Sequence, residues 1–502
     1  MSDNESYLKG NFLSCLAIFM AVFILYGHTL SFDLVVFDDN ILSDSPLYSS
    51  LSAIPQLFRQ DVFGDGSRFY RPFLSISFLF DSILKMPGHF SFHLSNLMFH
   101  AAACILMFFF LLENGFARNI SLPLSLLFAV HPALSQAVAW LPGRNDSVLS
   151  CLIIAAMLSA GRFLSCCGNG RFFGKNGLKQ LLWLAAHLLL FAAALFTKET
   201  AVILPAVILA WEYFAGKLFP VKKIMPVFIA QAFALTVYFI ARSHAASGSA
   251  DIEFLESLKG LLLIPVFFFK AFLSADLHVY KRWAYFSWPA LFLFMAIISA
   301  GFYLTEKNSR KKYVFGIISA FLFLAPTFAK TKGIFPFFLS HRFYLPAVFM
   351  FFSLASMLEG KKIVSGYAAK AVYAVVFLFF CLNSFIQCSY FKDTYIFWEQ
   401  ACVEMPGDFT AQAMTAMNYY DRRMIKPAAI YARRALEINP RHEDMNMVLG
   451  VYAASQGEIK QALDFMKKEI ANNPGNKTAA DLLPQLESIV SQGIFQAEVN
   501  IM

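Results

Sequence analysis

Apolar runs of membrane length recur from Phe12 to Gln387, separated by short polar connections. Crossing a bilayer core takes about 20 predominantly apolar helical residues. The pattern predicts spans near 11–30, 93–112, 119–132, 146–163, 179–196, 199–216, 224–241, 286–304, 313–328, 341–358 and 367–388. Two further apolar stretches fit less well. Asp81 and Lys85 interrupt 72–86, and a full crossing at 257–273 would invert every later basic loop. Both are expected as interfacial or re-entrant helices.

After Tyr390 the pattern changes to soluble helices. Segments Ala428 to Pro440 and Ala462 to Pro474 end alike, with closing prolines 34 residues apart. That is the period of a tetratricopeptide (TPR) repeat, with Ala428 and Ala462 at the close helix contact and Leu449-Gly450 on the preceding helix. The expected fold is all-α: a polytopic membrane bundle of about 11 spans over 1–390, with a first outer loop at 31–92, followed by TPR-like repeats over 391–502.

Composition agrees, with 58% hydrophobic and 15% charged residues over 502 positions. A soluble chain sits nearer half apolar and a quarter charged. The net charge of +8 falls in short connections at 162–179, 217–223, 307–312 and Lys361-Lys362. Such basic loops mark the cytoplasmic side, so the charge reports topology and no nucleic-acid partner is expected. The same rule places 31–92, 133–145, 242–285, 329–340 and everything after 388 on the outer face. The eight cysteines show neither zinc spacing nor a disulfide framework. Residues 11–30 are expected as an uncleaved first span.

The polar residues that break this background are few. Asp38-Asp39 follows the first span and supplies a candidate base with its partner, although paired acids in a solvated loop need no function. His93, Asn96 and His100 lie on one helical stripe, where interhelical hydrogen bonding is the plainer reading. His131-Pro132 ends a span, and Gly143-Arg144-Asn145-Asp146 opens the next. Arg144 suits a phosphate, since guanidinium matches its oxygens, but equally an interfacial pair with Asp146. Lys198-Glu199 is either a self-neutralising pair or a steady point for a lipid phosphate. His341-Arg342 puts two basic groups at an outer helix end, against the usual charge bias. Lys270 and Lys330 are weaker candidates. No nucleotide-binding loop, metalloprotease helix or serine nucleophile elbow occurs.

The order of these elements resembles the transmembrane-and-TPR O-mannosyltransferases and their bacterial relatives, within the GT-C class of polytopic glycosyltransferases. The motifs are the Asp-Asp loop, Tyr70-Arg71-Pro72-Phe73, the stripe from His93 to His100, His131-Pro132 to Trp140, Gly143 to Asp146, Lys198-Glu199, and Arg342 to Pro346. The resemblance implies inverting transfer of a hexose such as mannose from a polyprenyl-phosphate donor to an acceptor hydroxyl on the outer face. Asp38 would be the base, tuned by Asp39. Arg342, Arg144, Arg71, Lys198 and His341 would hold the donor phosphate, and His93, Asn96, His100, His131, Asp146 and Glu199 would support the site. A divalent cation is compatible with the class, although no metal site is read from these residues. The acceptor would be a protein or glycan, the TPR segment would offer a surface to a protein partner, and the setting would be a bacterial inner membrane with the repeats in the periplasm. The chain departs from the family at Gln136, where an acid is common. A TPR scaffold for envelope or secretion assembly, a polysaccharide polymerase or ligase, and a transporter remain as alternatives.

Overall fold

The computed structural model describes residues 2–35, 37, 46–62, 69–167, 177–214, 221–246, 254–272, 277, 279, 287–328, 339–361 and 366–491. Among these, the regular structure is helical. The N-terminal part contains α1 (Ser2–Tyr26), α2 (Pro72–Ile83), α3 (Phe90–Glu113), α4 (Arg118–Ala129), α5 (Ser135–Ala139), α6 (Arg144–Cys166), α7 (Gly177–Leu195), α8 (Leu204–Phe214) and α9 (Val221–Ala245). It continues with α10 (Phe254–Leu261), α11 (Ile264–Phe272), α12 (Trp288–Leu304), α13 (Arg310–Leu324), α14 (Tyr344–Leu358) and α15 (Tyr367–Ser389).

Eight helices in the described residues are long and apolar enough to cross a membrane, and a bent pair would make a ninth. The pair joins α4 to Pro132–Ala139 at 52°. Its bend has a local cause. The residue before a proline is pushed out of the helical region, and His131 has φ −74° and ψ 123°. Among the described residues, the expected span at 199–216 appears as a 3-10 turn at Glu199–Ile203 leading into α8, with 11 residues, and that at 286–304 as α12, with 17. Segment 257–273 forms the short pair α10 and α11.

Phenylalanine makes much of the interhelical packing. Phe315 on α13 meets Phe349 and Phe352 on α14 with ring centroids 5.9 and 5.3 Å apart, and Phe323 stacks on Phe349 at 5.4 Å. Edge-to-face and offset contacts of this kind add to the dispersion of close packing, which has to hold helices together where solvent is itself apolar. α15 instead exposes Val372, Val375, Leu378 and Leu382, the composition of a lipid-facing helix.

α2 is too short to be a full crossing, in keeping with the reading of 72–86. Asp81, however, does not face water: it is only 3% exposed. It is matched internally by a cation from α6, which removes the need for water. Lys85, just past the helix, is exposed and takes φ 46°.

The chain divides by compactness at Lys392 and Asp393. The second unit comprises α16 (Thr394–Glu404), α17 (Phe409–Asp421), α18 (Ile425–Ile438), α19 (Met445–Ser455), α20 (Ile459–Asn472) and α21 (Lys477–Ser491). Antiparallel pairs α17–α18 and α19–α20 are the two repeats. Ala428 and Ala462 are both fully buried, as the 34-residue spacing requires.

Glu469 on α20 is a feature the repeat pattern does not announce. It is fully buried, and its carboxylate accepts hydrogen bonds from the backbone N–H of Asp444 at 2.7 Å and of Met447 at 3.3 Å. These are unsatisfied donors at the start of α19, so one helix caps its neighbour. Glu469→Ala should leave them unpaired and cost about 1–3 kcal/mol. Hydrogen exchange at Asp444 to Met447 in the full chain should accelerate, and Glu469→Gln should restore much of the protection. Unchanged exchange in the alanine variant would show that the cap is dispensable.

Candidate functional site

The polar residues gather at the end of the bundle where α6 begins and α7 ends. Gly143 sets up the approach. A Cβ there would lie 2.7 Å from the Gln136 carbonyl oxygen and 2.9 Å from Ala137 Cα, so only glycine lets the turn at 141–143 press against α5. α6 then starts at Arg144. Residues two apart on a helix are rotated by about 200°, and Arg144 and Asp146 accordingly serve two different centres.

The first centre is closed. Arg144 is fully buried and its Nη1 lies 2.5 Å from Asp81 Oδ2. Its Nε donates to Asn96 Oδ1 at 2.5 Å, Nη2 to the Phe92 carbonyl at 2.6 Å, and Nη1 to Ser77 Oγ at 3.2 Å. The guanidinium also lies over the Phe78 ring, 4.3 Å from its centroid. Asn96 in turn donates to the Val138 and Trp140 carbonyls, both at 3.2 Å. Ser95 donates to the other oxygen of Asp81 at 2.5 Å. Burial holds the Asp81 carboxyl above its ordinary range despite the adjacent guanidinium. The phosphate role expected for Arg144 is therefore corrected. Its fork is occupied by protein acceptors and has no exposed surface, so it ties α2, α3 and α6 together. Asn96 belongs to the same clamp.

The second centre is more open. Lys198 Nζ lies 2.7 and 2.6 Å from the two oxygens of Asp146 and 3.2 Å from Asn145 Oδ1. Arg71 grips Glu199 through Nη2 at 2.9 Å and Nε at 3.2 Å. Arg242 stands 3.9 Å from the same carboxylate. His341 Nε2 is 3.7 Å from Asp146 Oδ2. Arg342 is half-buried and near enough for its charge to act on Asp146 and Lys198. Burial, with Arg71 and Arg342 adding repulsion, draws the Lys198 ammonium below the usual lysine range, although Asp146 opposes this. Burial would raise the Glu199 carboxyl, but the charge and hydrogen bonds of Arg71 outweigh it and hold the group below its ordinary value.

Gln136 joins this centre to α14. Its Oε1 accepts from Ser340 Oγ at 3.0 Å, from the His341 backbone N–H at 3.0 Å and from His341 Nδ1 at 3.1 Å. The His341 ring packs against Trp140 at 5.3 Å, and Trp140 meets Phe37 at 5.8 Å. Phe37 immediately precedes Asp38 in the chain. Asp38 and Asp39 themselves lie outside the described residues, as does Lys330.

The remaining histidines serve the scaffold. His100 bonds Tyr344 OH at 2.6 Å and donates to the Ala129 carbonyl at 2.9 Å. His131 donates to the Phe272 carbonyl at 3.2 Å and accepts from the Ala133 N–H at 3.3 Å. His93 is buried with its ring edge toward Phe32 at 6.1 Å. His100 and His131 are thus held by interhelical and turn bonds, His100 to the Tyr344 that follows Arg342 by two residues. Six expected residues do come together: Arg71, Asp146, Lys198, Glu199, His341 and Arg342. Sequence reasoning missed Asp81, Asn145 and Arg242, and saw Gln136 only as a departure. The one signal for Asp81 was a lone carboxylate in an otherwise apolar helix. Among the described residues, no group of three or more His, Cys, Asp or Glu is placed to hold a metal ion.

No protein-family model matches the chain. Comparison with curated proteins does find relatives, and they bear the names the motifs suggested. The chain is 27% identical over 254 residues to the protein O-mannosyl-transferase TMTC3 of Homo sapiens, covering 49% of this chain and 25% of that protein. It is 31% identical over 167 residues to protein O-mannosyl-transferase TMTC1 of Mus musculus, covering 32% and 17%. A Caenorhabditis elegans relative, protein O-mannosyl-transferase F38B6.6, is 29% identical over 143 residues, covering 26% and 21%. The match spans a quarter or less of each of these relatives' lengths.

Breaking a buried ion pair by removing one partner costs about 3–5 kcal/mol, whereas replacing both partners by apolar groups costs much less. Arg144→Leu and Asp81→Leu should each lower the thermal midpoint of the detergent-solubilised protein sharply, and the double variant should recover part of the loss. An Arg144→Leu protein as stable as the wild type but defective in anion binding would return Arg144 to a ligand role.

Proposed function

We propose that this chain is a membrane glycosyltransferase that moves a hexose, in the likeness of its named relatives a mannose, from a polyprenyl-phosphate donor to a hydroxyl acceptor. The observation that supports it most is the second centre. Four cationic side chains, Arg71, Lys198, Arg242 and Arg342, converge around Asp146 and Glu199 at a partly accessible end of a membrane bundle. A lipid phosphate released as a leaving group needs fixed positive charge of this kind, already in place before the charge develops.

In this reading Arg342 and Arg71 contact the phosphate, because both are half-buried and retain accessible surface. Lys198 and His341 back them from the buried side. Asp146 spaces the cations: bonded by Lys198 on both oxygens, it is a counter-charge and a poor base. The base is assigned to Asp38, whose chain neighbour Phe37 reaches Trp140 beside His341. Asp38 takes the acceptor proton as its oxygen attacks the anomeric carbon. The sugar–phosphate bond breaks on the opposite side, which inverts the configuration. Asp39 raises the basicity of Asp38 through its adjacent negative charge. The site faces away from the basic loops, on the extracytoplasmic side, and the acceptor is a protein, as the relatives' names suggest.

General-base removal typically costs about 10²–10⁴ in rate. Glycoprotein profiling should compare cells carrying the wild type, a deletion, Asp38→Asn and Arg342→Ala. A sugar present in the wild type should vanish in the deletion and in Asp38→Asn, and fall at least about tenfold in Arg342→Ala, with the variant proteins inserted at normal levels. A glycan lost only in the deletion would acquit both residues. No glycan change in any strain would favour the TPR scaffold instead.

A further inference from the structure

The opposite end of the same bundle holds a groove that the proposed reaction does not use. It lies between α4, the last turns of α14 and the first turns of α15, and encloses about 800 Å³. Sites for lipid- or drug-sized ligands span roughly 300–1,000 Å³. Its walls are Leu124, Leu127, Leu354 and Leu358, and Tyr373 stands at the side with its hydroxyl donated to the Pro123 carbonyl at 3.1 Å. Arg342 and Leu358 are sixteen residues apart on one helical rod, about 24 Å at 1.5 Å per residue, so this groove and the cationic cluster sit at opposite ends of α14.

The groove has polarity along its length. Arg118, at the first residue of α4, and Lys370, in the first turn of α15, both line one end. Leu127 lies nine residues into α4, so the apolar wall runs about 13 Å inward from the cations. The Arg118 guanidinium is set in place from α1: its Nη2 donates to Asn11 Oδ1 at 2.8 Å. It also covers Gly10, where any Cβ would fall 1.9 Å from Nη1. Lys370 is exposed. On α4 the Asn119 carbonyl lacks its usual helical donor, because Pro123 four residues later has no N–H. Asn119 also lines the groove.

An apolar slot leading inward from two cations and an acceptor matches one molecule of the surrounding bilayer. We propose that this groove binds an anionic phospholipid, with an acyl chain along Leu124, Leu127 and Leu354 and its phosphate between Arg118 and Lys370. The lipid would brace α15, which is otherwise the least buried of the membrane-length helices, with 11% of its apolar window inside the protein. A zwitterionic lipid has the same chain but a compensating cation, so the two basic residues select against it.

The test uses the full-length protein in nanodiscs of phosphatidylcholine alone or with a minor fraction of phosphatidylglycerol. Lipids retained after detergent extraction are counted by native mass spectrometry. Phosphatidylglycerol should be enriched at least about tenfold over its share, and the thermal midpoint should rise with it. Arg118→Gln with Lys370→Gln should abolish the enrichment while leaving the protein monodisperse. Leu124→Trp, which fills the groove and leaves both cations, should also displace the lipid. Equal retention of both lipids by the wild type, or undiminished enrichment in the double variant, would overturn the assignment. So would a matching midpoint rise from inorganic phosphate in phosphatidylcholine discs, since that would make the site one for a free anion. Selective retention of added polyprenyl phosphate over phosphatidylglycerol would equally overturn it and give the groove to a longer lipid.

Discussion

A charge placed inside a membrane bundle has to be neutralised within a few ångströms, and the structure around Arg144 follows from that constraint. Its guanidinium has no exposed surface. Removed from water, it needs an anion and a full set of acceptors, or the fold does not close. Asp81 supplies the anion from α2, which also gives the Ser77 acceptor, and Asn96 and Phe92 supply acceptors from α3. The geometry of three elements is thereby set by one side chain. Asn96 extends the constraint to the turn at Val138 and Trp140, and Trp140 is a wall of the neighbouring cluster. Helix packing alone, driven by contacts between phenylalanine rings, would tolerate sliding. A bidentate or forked ion pair does not.

The second cluster obeys the same electrostatics with a different outcome. Asp146 and Glu199 each hold a cation tightly, yet Arg342 and Arg242 stand in the same field. Among the described residues, the two carboxylates therefore lower the cost of assembling four cations in one place. Accessibility separates the two centres as well. Arg144 can answer only to the protein, whereas Arg71 and Arg342 still reach outward. This gradient, from a sealed pair to a partly open one, decides which arginine is structural and which is suited to a ligand.

Much of this was legible in the sequence, unevenly. Membrane-length apolar runs and the 34-residue repeat are one-dimensional signals, and the helices they announced are present. Helix ends were harder to read, since among the described residues 199–216 splits into a 3-10 turn and an α-helix of 11 residues, and 286–304 holds one of 17. The polar motifs identified the right residues but not their partners. Arg144 and Asp146 sit in one short motif, and their spacing turns them to different sides of the helix without naming the distant neighbour that each meets. Asp81 was discounted because an acid in an apolar helix suggests an interface, and its partner is 63 positions away. Gln136 registered only as a departure from an acid. Its role depends on the convergence of α5 and α14, which no local pattern encodes.

That glutamine has one more consequence. A backbone N–H can only donate, so the His341 amide fixes which end of the Gln136 side chain is the oxygen, and the same oxygen then requires a proton on His341 Nδ1. The imidazole is consequently locked in a single tautomer, with Nε2 as its other edge. That edge stands 3.7 Å from Asp146 Oδ2. The glutamine therefore sets how the ring faces the carboxylate, and a side chain with no charge of its own fixes the wall against which the Asp146–Lys198 pair is held.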